Sequence, residues 1–275
     1  MKLNRQDIAD LIYKRLKEEQ EVITKSYQNS MMEIGYFFVD NLLPEELVHK
    51  IHKSFPKLDE TVLKKSMREY KHVAVQMNNY SPILEEAVYA FQDQRIVDFF
   101  KEVCGQDSIF PDKNLYAGGL SMMAENNFLN PHLDNSHDKD RNLWRVFNLL
   151  YYVTPEWQRE NGGNLEIWPN GLNQEQITID SKFNRLVVMA THNRSWHSVS
   201  KVRIDRARCC ISNYYFSEQP LFESDSFHVT SFRGRPKQRV TDFILQIDSS
   251  FRMALRKVFK KGIRENPHVY KKEDK

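Results

Sequence analysis

Cysteine is scarce. The chain has three in 275 residues, Cys104, Cys209 and Cys210. An odd count with two neighbours in sequence does not make a disulfide framework, and it points to a reducing compartment. Long apolar runs are missing as well. No stretch approaches the ~18 residues of a membrane-crossing helix, so no span is expected. The opening segment, MKLNRQDIADLIYKRLKEEQ, lacks the apolar stretch of a secretory signal, so a cytoplasmic location is expected. Nor is there a surplus of one charge. Forty Lys and Arg against 37 Asp and Glu leave a net charge of +3, with no global drive toward nucleic acid. No internal repeat or low-complexity linker divides the chain. Its length suits one large domain or two small ones, able to bury a core without staples.

What is present changes character along the chain. In the first thirty residues Ile8, Leu11, Ile12, Leu16, Val22 and Ile23 recur at mostly three- and four-residue spacing, which predicts a helix that docks on the core. IGYFFVDN reads as a strand. LLPEELVHKIHKSF reads as a helix with Pro44 in its first turn, followed by two acids that suit the helix dipole. Residues 81–105 read as one or two more helices ending at a glycine. From about residue 114, short runs rich in β-branched and aromatic residues alternate with turn signals such as Gly162–Gly163 and Pro169–Asn170–Gly171. That pattern predicts a sandwich, barrel or jelly roll. After Gly234, QRVTDFILQIDSSFRMALRKVFKKGIREN reads as a closing helix, basic toward its end, and the tail HVYKKEDK is expected to be loose.

One constellation carries chemistry. In NPHLDNSHDKD, His132 and Asp134 are two residues apart in a segment of strand character, so an imidazole and a carboxylate share a face. That pair also suits a plain surface hydrogen bond, and a metal needs at least one more ligand. His49, His52, His72, His137, His192, His228 and His268 fall in predicted helices, loops or tails. His197, in SWHSVSKV, opens a predicted strand of the same β-rich region. Two histidines and one carboxylate with open positions make the facial triad of non-haem Fe(II) oxygenases. Further along, in KVRIDRARCCISNYYF, Arg206 and Arg208 share strand parity, and either guanidinium fork suits a carboxylate.

The order His-x-Asp, LLYYVTPEW, NGGNLEIW, FNRLVVM, WHSV and an arginine closing on YYF resembles the prolyl-hydroxylase-like branch of the Fe(II)/2-oxoglutarate-dependent dioxygenases. The resemblance covers about residues 114–217, with GYFFVDNLLPEELVHKI similar to the family's lead-in. It implies a mostly β fold with flanking α: a double-stranded β-helix (jelly roll) core, N-terminal helices and a C-terminal helical extension. The expected divisions are a docking helix over 1–30, the oxygenase domain over 31–235 and a basic helical extension over 236–275.

The resemblance further implies Fe(II) on His132, Asp134 and His197, with 2-oxoglutarate and O2 as cosubstrates and ascorbate as an auxiliary reductant. Tyr152 would reach the far carboxylate of 2-oxoglutarate, and Asn148, of the same strand parity, would line the pocket or the core. Tyr116 has the same two readings. The family's arginine follows the distal histidine by nine or ten positions. Arg206 lies nine and Arg208 eleven beyond His197, and alignment on YYF favours Arg208. Trp196 and the DNSHDKDR segment are expected at the substrate mouth or on its rim. The implied reaction hydroxylates a C–H of a protein side chain or small metabolite, giving succinate and CO2. The partners are then 2-oxoglutarate and an unidentified primary substrate, with no nucleic acid. The alternative is a non-catalytic jelly-roll protein that holds metal or ligand.

Overall fold

The structure, a computed structural model, describes residues 4–259 and 269–270. The helical start is two helices, α1 (Arg5–Glu18) and α2 (Gln20–Ser30). Asn4 caps α1: its side chain accepts from the Asp7 N–H, and the Asp7 carboxylate accepts from the Asn4 N–H, each at 3.0 Å. Ile8, Ile12 and Leu16 then fall on one buried face. The helices α3 (Glu45–Lys53), α4 (Pro82–Ala90) and α5 (Gln94–Cys104) follow, and α5 ends where Gly105 takes φ +63°. Pro44 precedes α3 as its N-cap residue.

Thirteen strands form one curled sheet among the described residues. They are β1 (Tyr36–Asp40), β2 (Val62–Lys65), β3 (Glu69–Ala74), β4 (Phe110–Pro111), β5 (Gly119–Met123), β6 (Phe128–Leu133), β7 (Trp144–Tyr152), β8 (Leu165–Ile167), β9 (Ile177–Ile179), β10 (Arg185–Ala190), β11 (His197–Val199), β12 (Arg208–Ser217) and β13 (Ser231–Phe232). A final helix, α6 (Arg239–Val258), follows. The order β1-β10-β7-β12-β5 makes one wall and β6-β11-β8-β9 the other, with β3 joining β5 to β6. This is a double-stranded β-helix with flanking helices, as the family resemblance implied.

Strand parity decides which side chain faces which layer. On β7, Phe147, Leu149 and Tyr151 join the core under the helices, with Ile8, Ile23, Tyr27 and Phe100. Asn148, Leu150 and Tyr152 face the inside of the roll. Phe147 is fully buried and meets Tyr27 edge-on, ring centroids 6.1 Å apart. Phe147→Ala removes a fully buried ring from this layer and should lower the unfolding free energy by about 3–5 kcal/mol in a urea titration.

Two expectations need correction. The sequence reading gave no strand over residues 62–74, yet β2 and β3 form a hairpin there, and β3 bridges the two walls. The terminal segment was expected to be loose, but Val269 and Tyr270 are buried; the Tyr270 N–H donates to Asn114 O and the Gln76 amide to Val269 O. His268 and the predicted helix beyond Phe259 lie outside the described residues.

Candidate metal centre

β11 pairs antiparallel with β6, and the register sets His197 opposite His132. That pairing brings together two imidazoles 65 positions apart in sequence, with ring centroids 4.0 Å apart. Asp134 follows the end of β6 and turns its carboxylate toward both rings, 3.6 Å from His132 Nε2 and 3.8 Å from His197 Nε2. One ligand atom from each residue lies within 4.8 Å of the others.

The backbone fixes the tautomers. His132 Nδ1 lies 3.0 Å from Asn130 O and His197 Nδ1 2.9 Å from Ser195 O. A carbonyl only accepts, so each Nδ1 carries a proton and each Nε2 is the nitrogen turned toward Asp134. Burial pushes the His132 pKa down to about 3, with the neighbouring His197 adding to it. Burial alone would raise the Asp134 pKa, but the His197 and Arg145 charges outweigh it and hold the carboxyl below its ordinary value. Asp134 Oδ2 is buried and accepts no hydrogen bond. Two imidazoles that turn Nε2 to one point and a carboxylate with an orphaned oxygen fit a divalent first-row metal. Phe232 stacks on His132 at 5.0 Å and shields the ring from solvent.

Beside this cluster lies a cavity of about 550 Å³, lined by the triad and by Asn148, Tyr152 and Arg208 among others. β12 pairs with β7, setting Cys210 opposite Tyr152, and the Arg208 guanidinium sits 5.2 Å from the Tyr152 ring centre. Arg208 Nε, the Tyr152 hydroxyl and the Asn148 amide oxygen are buried without a hydrogen bond. The nearby Ser181 hydroxyl donates its proton to Gly163 O. Gly163 has φ +68°, and a Cβ there would meet Arg208 Cδ at 3.2 Å, so glycine lets the turn pass close beside the arginine. Arg206, the competing candidate, is exposed and donates to Pro155 O at 2.9 Å.

Tyr116, His137 and Asp138 also line the cavity, so the segment after Asp134 does reach its mouth; Trp196 is not among the lining residues. His192 lies elsewhere, its Nε2 2.9 Å from Ile34 O. The sequence reading missed Arg145, Lys64 and Lys71 on the hairpin, and Arg252 and Arg256 on α6, all of which line the cavity. The hairpin's strands were not predicted, and Arg145 is displaced by an irregularity in β7. There Tyr215 pairs with Phe147 but Phe216 with Arg145, so Val146 is an extra residue that turns Arg145 onto the cavity side.

Residues 118–216 match the model of the 2OG-Fe(II) oxygenase superfamily. No curated protein matches the chain. Among solved structures, the chain is similar in fold to a prolyl-4-hydroxylase from Pseudomonas putida, at TM-score 0.53 and 14% identity, covering 72% of this chain and 100% of that one. A prolyl 4-hydroxylase structure from Phytophthora capsici matches at TM-score 0.53 and 15% identity, over 90% of this chain and 78% of the other. The carbocyclase SnoK from nogalamycin biosynthesis, described as non-haem and alpha-ketoglutarate dependent, matches at 0.54 and 14%, over 80% and 87%. No helix among the described residues is long and apolar enough to cross a membrane.

Proposed function

We propose that this chain, whose residues 118–216 match the model of the 2OG-Fe(II) oxygenase superfamily, is a hydroxylase in which His132, Asp134 and His197 hold Fe(II) and Arg208 and Tyr152 hold 2-oxoglutarate. The observation that carries the reading is a set of buried polar atoms left without partners around one cavity: Asp134 Oδ2, Arg208 Nε, the Tyr152 hydroxyl and Asn148 Oδ1. Each costs free energy unless a ligand supplies what is missing: a divalent ion would meet Asp134 Oδ2 and a dicarboxylate would accept from Arg208 and Tyr152, while the Asn148 oxygen calls for a donor.

The protein's part is positional. The Asn130 and Ser195 carbonyls keep protons on Nδ1, so both Nε2 atoms are presented as ligands. Arg208, rigid on a central strand and 3% exposed, offers a cation to the far carboxylate, and the Tyr152 hydroxyl adds a donor. Leu129, Leu150, Leu165 and Val199 supply apolar cavity wall, which limits water around the reacting groups. Bound there, Fe(II) would supply the coupling of 2-oxoglutarate decarboxylation, giving succinate and CO2, to insertion of one atom of O2 into a substrate C–H bond. Asp134 bears on the outcome. In related halogenases that position is a small residue that leaves room for chloride, so a carboxylate here favours hydroxylation.

The fold neighbours include both hydroxylases and a carbocyclase, so the outcome is tested directly. With Fe(II), 2-oxoglutarate and labelled O2, one labelled oxygen is expected in the product and one succinate per turnover. A chlorinated or ring-closed product without label would contradict hydroxylation. Binding of metal and 2-oxoglutarate with no succinate under any substrate pool would favour a non-catalytic binder.

A further inference from the structure

Arg145 is a buried cation with little to do inside the protein. Its side chain is 2% exposed, and its nearest acid is Asp134, at 3.9 Å from Nη1. Its Nε and Nη2 are buried without hydrogen bonds. The guanidinium is held among aromatic rings, 4.2 Å from the Tyr214 centre, 5.7 Å from Phe216 and 5.9 Å from Tyr116. A buried guanidinium with free donors is costly unless an anion meets it.

The charge balance of the filled site sharpens the point. A divalent ion, the Asp134 carboxylate, a 2-oxoglutarate dianion and the Arg208 cation cancel one another. Arg145 then adds a positive charge beside the reacting centre, where the buried Asp112, whose own pKa is raised by burial, is the other acid in its field.

Among the charged residues of the cavity lining, cations outnumber the acids Glu69, Asp134 and Asp138. Lys64 and Lys71 enter from the β2–β3 hairpin, and Arg252 and Arg256 from α6. Some of this charge is answered: Lys71 pairs with Glu69 at 3.0 Å, and Asp248 is shared between Arg68 and Arg252. The cations also crowd one another. Lys64 is pushed below its ordinary pKa by burial and then by Lys71, and Arg141 likewise by burial and then by Arg256. Arg256 Nε is also buried without a partner. These cations gather inside one cavity of a chain with a net charge of only +3, which suits a small ligand better than a polynucleotide backbone tracked along a surface.

From this arrangement we infer that the primary substrate is a small anion, a carboxylate or a phosphate ester, whose charged group is taken by the Arg145 fork while Lys64 and Arg256 draw it into the mouth. The inference rests on the oxygenase reading of the same cavity and adds the substrate's chemical class.

The test is calorimetric titration of inorganic phosphate, and separately of acetate, into Ni(II)-loaded protein saturated with 2-oxoglutarate, at low ionic strength. At least one probe should saturate and should persist as 2-oxoglutarate is raised; which of the two binds more tightly tells phosphate from carboxylate recognition. Arg145→Gln should weaken that probe by at least about tenfold, the scale of a lost charged hydrogen bond. Arg145→Lys, which keeps the charge and the fold, should fall between. Arg256→Gln should weaken it by roughly two- to fivefold and flatten its salt dependence. Saturation of neither probe, displacement of the probe by 2-oxoglutarate, or unchanged affinity in Arg145→Gln would overturn the inference. Stimulation of succinate formation only by neutral compounds or by oligonucleotides would overturn it too. Failure of 2-oxoglutarate itself to bind the wild-type protein is a separate result, and it would bring down the oxygenase reading first.

Discussion

His197→Ala is expected to abolish Fe(II)-dependent succinate formation while the protein stays folded. The imidazole is one of only three ligand groups in the cluster, and its Nε2 has no task inside the protein beyond facing Asp134. Losing an outer-shell partner of a metal ligand already costs roughly 10- to 100-fold in metal affinity or activity, and losing the ligand itself should cost more. The fold does not depend on the ring. β11 is held by backbone pairing to β6 and β8 on both sides, and alanine keeps that ladder. The metal-free variant should therefore melt within a few degrees of the metal-free wild type. His132→Ala and Asp134→Ala should behave alike. The check is succinate formation against added Fe(II), with thermal unfolding measured on the same samples. Full activity in His197→Ala would refute the assignment, and His192 offers no replacement because its ring nitrogen is engaged with Ile34 O. Since Fe(II) stands near the weak end of the divalent order, Ni(II), Co(II) and Zn(II) should each bind and inhibit.

The metal cluster was legible because strand periodicity is local. Two residues of spacing put His132 and Asp134 within reach of one point, and a second histidine opening a later strand of the same β region had few rivals. The meeting of His197 with His132 is a fact of register between two strands, which sequence specifies only through the whole sheet. Parity also placed Asn148 and Tyr152 on the cavity side, and it failed at Arg145 for an identifiable reason. The extra residue at Val146 reverses the alternation, and nothing in WRVFNLLYY marks a bulge: it contains neither glycine nor proline. The β2–β3 hairpin was hidden differently. VLKK and EYKHVA are half-exposed and carry lysines, so their burial signal is weak, and the place of β3 between β5 and β6 follows from long-range pairing. The burial of Tyr270 against Asn114 is long-range as well. A charged tail of eight residues carries no periodicity from which such docking could be read.

Arg208→Ala is expected to weaken 2-oxoglutarate strongly, and Arg206→Ala by less than about threefold. The two arginines share parity in the sequence, yet they sit in different surroundings. Arg208 is 3% exposed, opens β12, lines the cavity and leaves Nε without a partner. Arg206 lies before the strand, exposed, and is spent on Pro155 O. A far carboxylate buried against Arg208 would form a charge pair out of water, and truncating one partner of such a pair costs roughly 2–5 kcal/mol, much of it from the charge left unpaired. At about 1.4 kcal/mol per decade, the loss is roughly 30-fold to several thousand-fold in affinity. A surface arginine should change stability by about half a kcal/mol and leave the cosubstrate nearly untouched. Arg208→Lys should recover only part of the loss, because an ammonium cannot make the two parallel bonds of the fork. Tyr152→Phe keeps the ring beside the guanidinium and removes one donor, so its effect should be smaller, on the order of tenfold. The measurement is the 2-oxoglutarate dependence of succinate formation, with direct titration of metal-loaded protein as the second reading. A large effect in Arg206→Ala instead would mean that spacing from the distal histidine was the better guide. If neither substitution has an effect, 2-oxoglutarate does not occupy this end of the cavity, and the unpartnered groups there serve a different ligand.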